Sequence, residues 1–482
     1  MTDGARRVAV IGGGMSGLTS ALRLTQLDPS VGVTVFEADE SPGGKLRSVE
    51  VGGLVLPAGA DSFLARKPWA VDLCRELGLG AELIAPDVGG AYLWTERGLE
   101  SFVRDAPFGI PGDPVDVLRW PGLTRGGRTR AAKDLLIRAR KDDADESLGS
   151  LLRRRFGDEA AEHAVAPLLE GLFAGDADRL SVLATFPELR HWERSQGSLI
   201  RGSQAASRDA RRGKPGPMFL RPRGGVERLT ESIAQRLGSS VRTGSRVIAI
   251  ELRNRGYDVI TEGVSPESFD AVVLAVPAFV ASELLRSIAQ PAVSDLARIP
   301  YASTGVVLSV YAENTARDLP DGSGFVVPRG KAPMTASTFL SNKWPEEAFG
   351  TRAIVRSYVG GVGAEDILDA TDSELIAACA VHLAALVSLP EAPEHAAVVR
   401  WPKSMPQYEV GHLDLVGGAR AGLPPGIFIT GQAYDGVGIP DCVRAAGKTA
   451  EVVVTYLNGG TATLSRTGAP SEHEPADKET VR

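Results

Sequence analysis

Long apolar runs are missing from this 482-residue sequence: nowhere does it reach the roughly eighteen uninterrupted apolar residues that a spanning helix requires. Met1-Thr2-Asp3 leads straight into a strand-like segment without a signal-peptide pattern. A cytoplasmic protein with at most peripheral membrane contact is therefore expected. Cysteine is scarce, and Cys74, Cys379 and Cys442 form no CxxC pair, which excludes a disulfide framework and a zinc site and leaves buried free thiols. The six histidines show no HxxxH spacing, so no metal is expected. Excess positive charge is also lacking: the net charge of −7 argues against nucleic acid as a partner.

What is present is ordinary globular material, 43% hydrophobic and 23% charged, in a chain too long for one core, so two or three domains are expected. Charge is uneven along it. Residues 124–155 carry ten Lys/Arg against five Asp/Glu, and residues 190–228 carry ten against three. Such runs usually mark a solvated face, but a basic face beside a ligand site would favour an anionic ligand.

Arg7–Ile11 reads as a short buried strand, followed by Gly12-Gly13-Gly14-Met15-Ser16-Gly17, a helix-compatible stretch from Leu18 to Leu27, and a second strand, Val33–Phe36, ending in Glu37. This β-α-β unit places an acidic residue twenty positions after the last glycine, as dinucleotide binding demands. The glycines serve a tight turn, backbone approach to a pyrophosphate and close helix packing. The helix N-terminus offers unpaired N–H groups to phosphate, and Glu37 can bond ribose hydroxyls. From about Asp116 to Arg212 charged, Ala- and Leu-containing segments indicate a helical insertion. Strand-like runs return at 246–252, 257–261, 271–276, 305–311, 324–327 and 353–359, giving a mixed second half. Gly426–Gly431 reads as one more buried strand, with a helix from about Val443 to Leu457, and residues 459–482 read as a disordered tail.

Glu37 is followed by Gly43-Gly44-Lys45, which resembles the double-glycine extension of FAD enzymes in the amine-oxidase and phytoene-desaturase superfamily. Ile429–Pro440, with Gly431, Val437, Gly438 and Ile439, is similar to that superfamily's C-terminal flavin motif. Glycines there let backbone N–H groups approach the part of a flavin that gains negative charge on reduction. Segments outside the nucleotide unit narrow the likeness. Gly59-Ala60-Asp61-Ser62-Phe63, Glu146-Ser147-Leu148-Gly149, Arg223-Gly224-Gly225-Val226, Pro406-Gln407-Tyr408-Glu409-Val410-Gly411-His412 and above all the run from Pro167 to Ser181, with its Gly171-Leu172-Phe173-Ala174-Gly175-Asp176 core, resemble the protoporphyrinogen/coproporphyrinogen oxidases. The soluble bacterial coproporphyrinogen III oxidases are the most similar group.

The resemblance implies an α/β fold: a Rossmann-like, amine-oxidase-type FAD domain (1–92, 219–285, 425–458), a helical lobe with the first part of a substrate domain (93–218), and a mixed α+β remainder (286–424). It implies non-covalent FAD held by the glycine turn with Met15 and Ser16, by Glu37 and Ala38, by Gly43, Gly44 and Lys45, by Gly59, Ala60, Asp61 and Ser62, by Val247 and Trp401, and by the C-terminal motif. Lys67 aligns with a cation for a substrate propionate, Gly171 with a backbone carbonyl facing pyrrole N–H groups, and Trp344 with an aromatic wall. No side chain is expected to act as acid or base. The flavin accepts hydride from a methylene bridge three times, with dioxygen as acceptor and hydrogen peroxide as by-product. The basic stretches favour the four-carboxylate coproporphyrinogen III over protoporphyrinogen IX, and a ferrochelatase is the partner to which product would pass. The rivals are another amine-oxidase-like flavoenzyme and a flavin or porphyrin carrier without turnover.

Overall fold

Val8, Ala9, Val10 and Ile11 are almost wholly buried, which is why Arg7–Ile11 can sit at the centre of a sheet covered on both faces. The computed structural model describes residues 6–212 and 216–460. The expected tail, apart from Gly459 and Gly460, lies outside the described residues, as does Lys214 of the second basic stretch. Five parallel strands pair in the order Val241–Arg242, Gly32–Phe36, Arg7–Ile11, Ala271–Leu274, Ile427–Ile429. Three separate stretches of chain thus build one sheet. On one face Val8, Val10, Val33, Val35 and Val273 pack under helices Met15–Leu27 and Ile439–Leu457. On the other, Ala9, Ile11, Val272 and Leu274 meet Ile250, Val259 and Phe269 of a three-stranded antiparallel sheet and the helix Ala278–Leu284.

Two helices start earlier than their apolar pattern suggests. The first begins at Met15, three residues before Leu18, because Gly14 is already extended and acts as its cap. The last begins at Ile439 and not Val443, since Pro440 sits in the first turn, where its missing N–H costs nothing.

A second sheet of seven strands runs in the order His395–Pro406, Tyr301–Val310, Ile354–Gly360, Met334–Phe339, Gly324–Val326, Tyr92–Thr95, Gly98–Ser101. The twelve-residue strand His395–Pro406 was not expected from Trp401-Pro402-Lys403. It is an edge strand, where proline removes no needed donor, and a bulge sits opposite Ala302 and Thr304. The helical lobe has its own core, in which Trp120, Leu151, Leu152, Phe156, Phe173 and Leu189 are buried. Its helix Leu148–Phe156 is capped by Ser147 and closed by Arg130, whose guanidinium donates to the carbonyls of Arg153, Arg154 and Arg155 at 3.1–3.2 Å. No helix among the described residues is long and apolar enough to cross a membrane.

Candidate flavin site

The glycine turn closes in the way its spacing predicts. Gly12 has φ +105° and donates its N–H to Phe36 at 2.8 Å; a Cβ there would collide with the Ala275 carbonyl. A Cβ on Gly17 would overlap the Gly12 carbonyl, so helix and turn pack backbone to backbone. Gly14 differs, since nothing lies within 4 Å of where its Cβ would be. A helix N-terminus with no side-chain cap, beside unfilled space, is the cradle a pyrophosphate needs. Glu37 lies across it, its carboxylate accepting from the Gly13 N–H at 2.6 Å and the Asp39 N–H at 2.9 Å. Ala38 is half-buried alongside. The Glu37 carbonyl accepts from Ser245 at 2.7 Å, which brings Val247 to the same edge.

The double-glycine turn meets the first turn directly. Gly43 donates to the Gly13 carbonyl at 2.9 Å, and a Cβ on Gly44, where φ is +58°, would stand 3.3 Å from the Gly14 Cα. Lys45 then points inward and donates to the Ser404 carbonyl, which also accepts from the Gln432 side chain at 2.9 Å. Burial drives the Lys45 ammonium down to about 8. Gly431, with φ +131°, faces Ser16, and Ser16 in turn lies beside Cys442 in the last helix. Met15, Ser16, Gly431 and Ile439, with Gly438 just before it, therefore come together from opposite ends of the chain, whereas Val437 packs against the lobe core. Burial pushes the Cys442 thiol up to about 11 and those of Cys74 and Cys379 to about 12, so all three stay protonated.

Three expected roles change in the structure. Asp61 is not an open ligand group: it is 7% exposed and engages Lys343 and Arg356 at 3.1 Å, with Ser62 donating at 2.8 Å. Burial alone would raise its carboxyl, but the two cations outweigh that and hold it well below the carboxylate range. Arg356 also donates to the Gly59 carbonyl at 2.8 Å, so Gly59 and Asp61 form a structural clamp while Ala60 is exposed. Trp344 is 1% exposed among Leu54, Leu340 and Phe349, with Arg221 over its ring, which leaves no face for a ligand wall. Trp401 is half-buried and donates to the Ala58 carbonyl at 3.0 Å.

The third change concerns charge. Arg154, Arg155 and Arg190 do not form a free cationic face, because they interlock with Asp134, Glu146 and Glu193 inside the lobe. Three cations and three anions cancel there, and Arg153 pairs with Asp178 and Glu162. The sequence counts missed this because several partners meet only in the folded lobe: Arg155 and Asp134 lie 21 positions apart, and Arg154 and Glu193 lie 39 apart.

Lys67, which caps the helix Pro68–Glu76, pairs with Asp441 at 2.7 Å. A substrate carboxylate would have to compete with Asp441 for it. Gly171 lies in the lobe helix Ala166–Phe173 with open space where its Cβ would be, and Leu172 beside it is 55% exposed. Tyr408 and His412, noted at the sequence level only as part of a family segment and given no role there, stack with ring centres 3.8 Å apart. Burial lowers His412 to about 3, so it is neutral, and raises the Tyr408 phenol.

Known proteins resemble this chain over nearly its whole length. The profile described as flavin containing amine oxidoreductase matches residues 15–454. The chain is 33% identical to the coproporphyrinogen III oxidase of Bacillus subtilis (strain 168), over 95% of this chain and all of that one. It is 31% identical to the coproporphyrinogen III oxidase of Staphylococcus aureus, over 94% of this chain and all of that one. A crystal structure from Exiguobacterium sp. 255-15 superimposes with a TM-score of 0.84 at 30% identity, covering 94% of this chain and 99% of that chain. Putrescine oxidase, at 18% identity and a TM-score of 0.68, shares the fold.

Proposed function

The chain belongs to the flavin-containing amine oxidoreductase family, and on that premise we propose that it oxidises coproporphyrinogen III to coproporphyrin III with tightly held FAD, passing electrons to dioxygen with release of hydrogen peroxide. The carrying observation is the open cradle at Gly14 joined to the wall made by Lys45, Gly431 and Gly438 in a chain matched over 94–95% of its length by oxidases of that name. FAD when bound supplies the electron acceptor. The protein's own groups bind, orient and shield: Glu37 meets the ribose, the Gly12–Gly17 turn the pyrophosphate, and the 431–438 turn the flavin's carbonyl edge.

Among the described residues, the carboxylates beside the turn are engaged by cations, Asp435 by Arg420 and Asp441 by Lys67, and the Cys442 thiol is protonated, which suits a reaction driven by aromatisation of the macrocycle. The open side of Gly171 and the exposed Leu172 offer a backbone carbonyl and an apolar contact to a porphyrinogen face. In this reading Lys67 takes a propionate by exchanging it for Asp441. Substrate preference rests on the relatives and not on the basic stretches, whose central arginines are neutralised internally. Protoporphyrinogen IX is the second reading, favoured by a 30% identity to the chloroplastic protoporphyrinogen oxidase of Nicotiana tabacum over 93% of this chain. The protein works in the cytoplasm, and its product goes to a ferrochelatase. Porphyrin fluorescence followed with each porphyrinogen in parallel tests the substrate: higher kcat/KM for coproporphyrinogen III supports the proposal, and equal or higher kcat/KM for protoporphyrinogen IX overturns that choice.

A further inference from the structure

The segment that follows the edge strand His395–Pro406 links two parts of the molecule that the reaction brings together. On one side it is stitched to the helical lobe. Ser181 donates to the Tyr408 carbonyl at 2.8 Å, Leu180 and Glu409 form an antiparallel bridge, and Val410 donates to the Arg179 carbonyl at 3.0 Å. The Gln407 side chain donates to the Phe173 carbonyl at 2.9 Å, at the end of the helix and two residues after Gly171. The Tyr408 ring lies against Phe173 at 5.7 Å between centres and stacks on His412.

On the other side the same tyrosine reaches the C-terminal glycine turn. Its Oη donates to the Gln432 carbonyl at 2.6 Å and accepts from the Gly436 N–H at 2.9 Å. That turn has little regular structure of its own: Gly431 and Gly436 both hold positive φ, and Tyr434 donates to the Gly431 carbonyl at 3.1 Å. Arg420 at 2.5 Å and Arg444 at 3.2 Å fix Asp435 within it. These arginines come from the helices that flank the turn, whereas Tyr408 also contacts the lobe. A residue needed only to fill the core would not require one oxygen to bridge a carbonyl and an N–H four residues apart in a turn.

We propose that Tyr408 is a positioning residue that ties the helical lobe to the 431–438 turn, so that a ligand seated against the lobe alters the environment of the flavin held by that turn. The proposal rests on the flavin reading above. Tyr408→Phe is the direct test, since phenylalanine keeps both ring contacts and removes only the oxygen. In the FAD-bound protein, coproporphyrin III serves as a stable probe of lobe occupancy by fluorescence quenching, and the flavin difference spectrum reports what reaches the turn. We expect the variant to bind coproporphyrin III as the wild type does, to hold FAD about tenfold more weakly because Gly436 and Gln432 lose a shared buried partner, and to show a probe-induced flavin spectrum reduced to roughly half or less. An undiminished spectrum with unchanged FAD affinity would overturn the proposal. In wild-type protein, hydrogen exchange across residues 431–438 should slow when coproporphyrin III is added, and unchanged exchange there would overturn it too, whether or not the variant folds. A wild-type protein that holds no FAD would instead remove the flavin reading on which the proposal stands.

Discussion

At the residue scale, glycines of one motif do different work, and substitution should separate them. Gly14 leaves empty space where its Cβ would stand, so Gly14→Val should fold with near-native thermal stability and lose FAD, read as colourless purified protein with a native circular dichroism spectrum. Gly17→Ala should fail earlier, in yield and melting temperature, because its Cβ overlaps the Gly12 carbonyl. A coloured Gly14→Val protein would refute the cradle. Lys45 gives a pH prediction. Burial lowers its ammonium from an ordinary 10.5 to about 8, so between those values the unfolded chain holds a proton that the folded protein has released. Stability from this group therefore rises with pH across that window and is absent below it. In FAD-free protein, the melting temperature of wild type relative to Lys45→Met should climb as pH goes from 8 towards 10; a constant difference would contradict the assignment.

At the scale of elements, the lobe's arginines are structural before they are anything else. Arg155 is wholly buried, and its removal leaves the buried Asp134 carboxylate without its cation, while Glu193 keeps Arg154 and Arg190. Arg155→Ala should cost about 3–5 kcal/mol, whereas Arg211→Ala, an exposed pair with Asp105, should cost about 1 kcal/mol or less. Denaturant unfolding followed by tryptophan emission checks both, since Trp120 and Trp192 lie in that core. Equal costs would mean the network is not what holds the lobe. The same network shows where sequence reasoning stops. Arg153-Arg154-Arg155 reads as a basic face until Glu146, from the loop before the same helix, and Glu193, from another helix, are seen to close on it. Helix and strand identities were legible because their apolar periods are local. The strand His395–Pro406 was not, because its tolerance for Pro402 depends on being at a sheet edge, which only the folded order decides.

At the scale of the whole molecule, the flavin site was legible at its glycines, since a backbone that must approach a ligand leaves its mark on residue type. Gly12–Gly17, Gly43–Gly44 and Gly431–Gly438 were singled out separately and meet on one wall. Groups that act through backbone atoms left no such mark. Tyr408 bonds to a carbonyl and an N–H, and the Ser404 carbonyl gathers Lys45 and Gln432. Trp344 misled in the opposite sense, because an aromatic in a loosely aligned position resembles a wall until its burial is known. Burial raises the Cys442 thiol beside the motif, which works against thiolate attack on flavin, so acid precipitation of the whole protein should leave the yellow colour in the supernatant. Colour kept in the pellet would show a covalent link.

The central claim, that this chain holds FAD against a porphyrinogen and turns it over, is tested most directly by anaerobic titration of the purified flavoprotein. Added coproporphyrinogen III should bleach the flavin absorbance as porphyrin emission appears, and admitting air should restore the yellow colour. A flavin that stays oxidised in the presence of coproporphyrinogen III and of protoporphyrinogen IX alike would contradict the account.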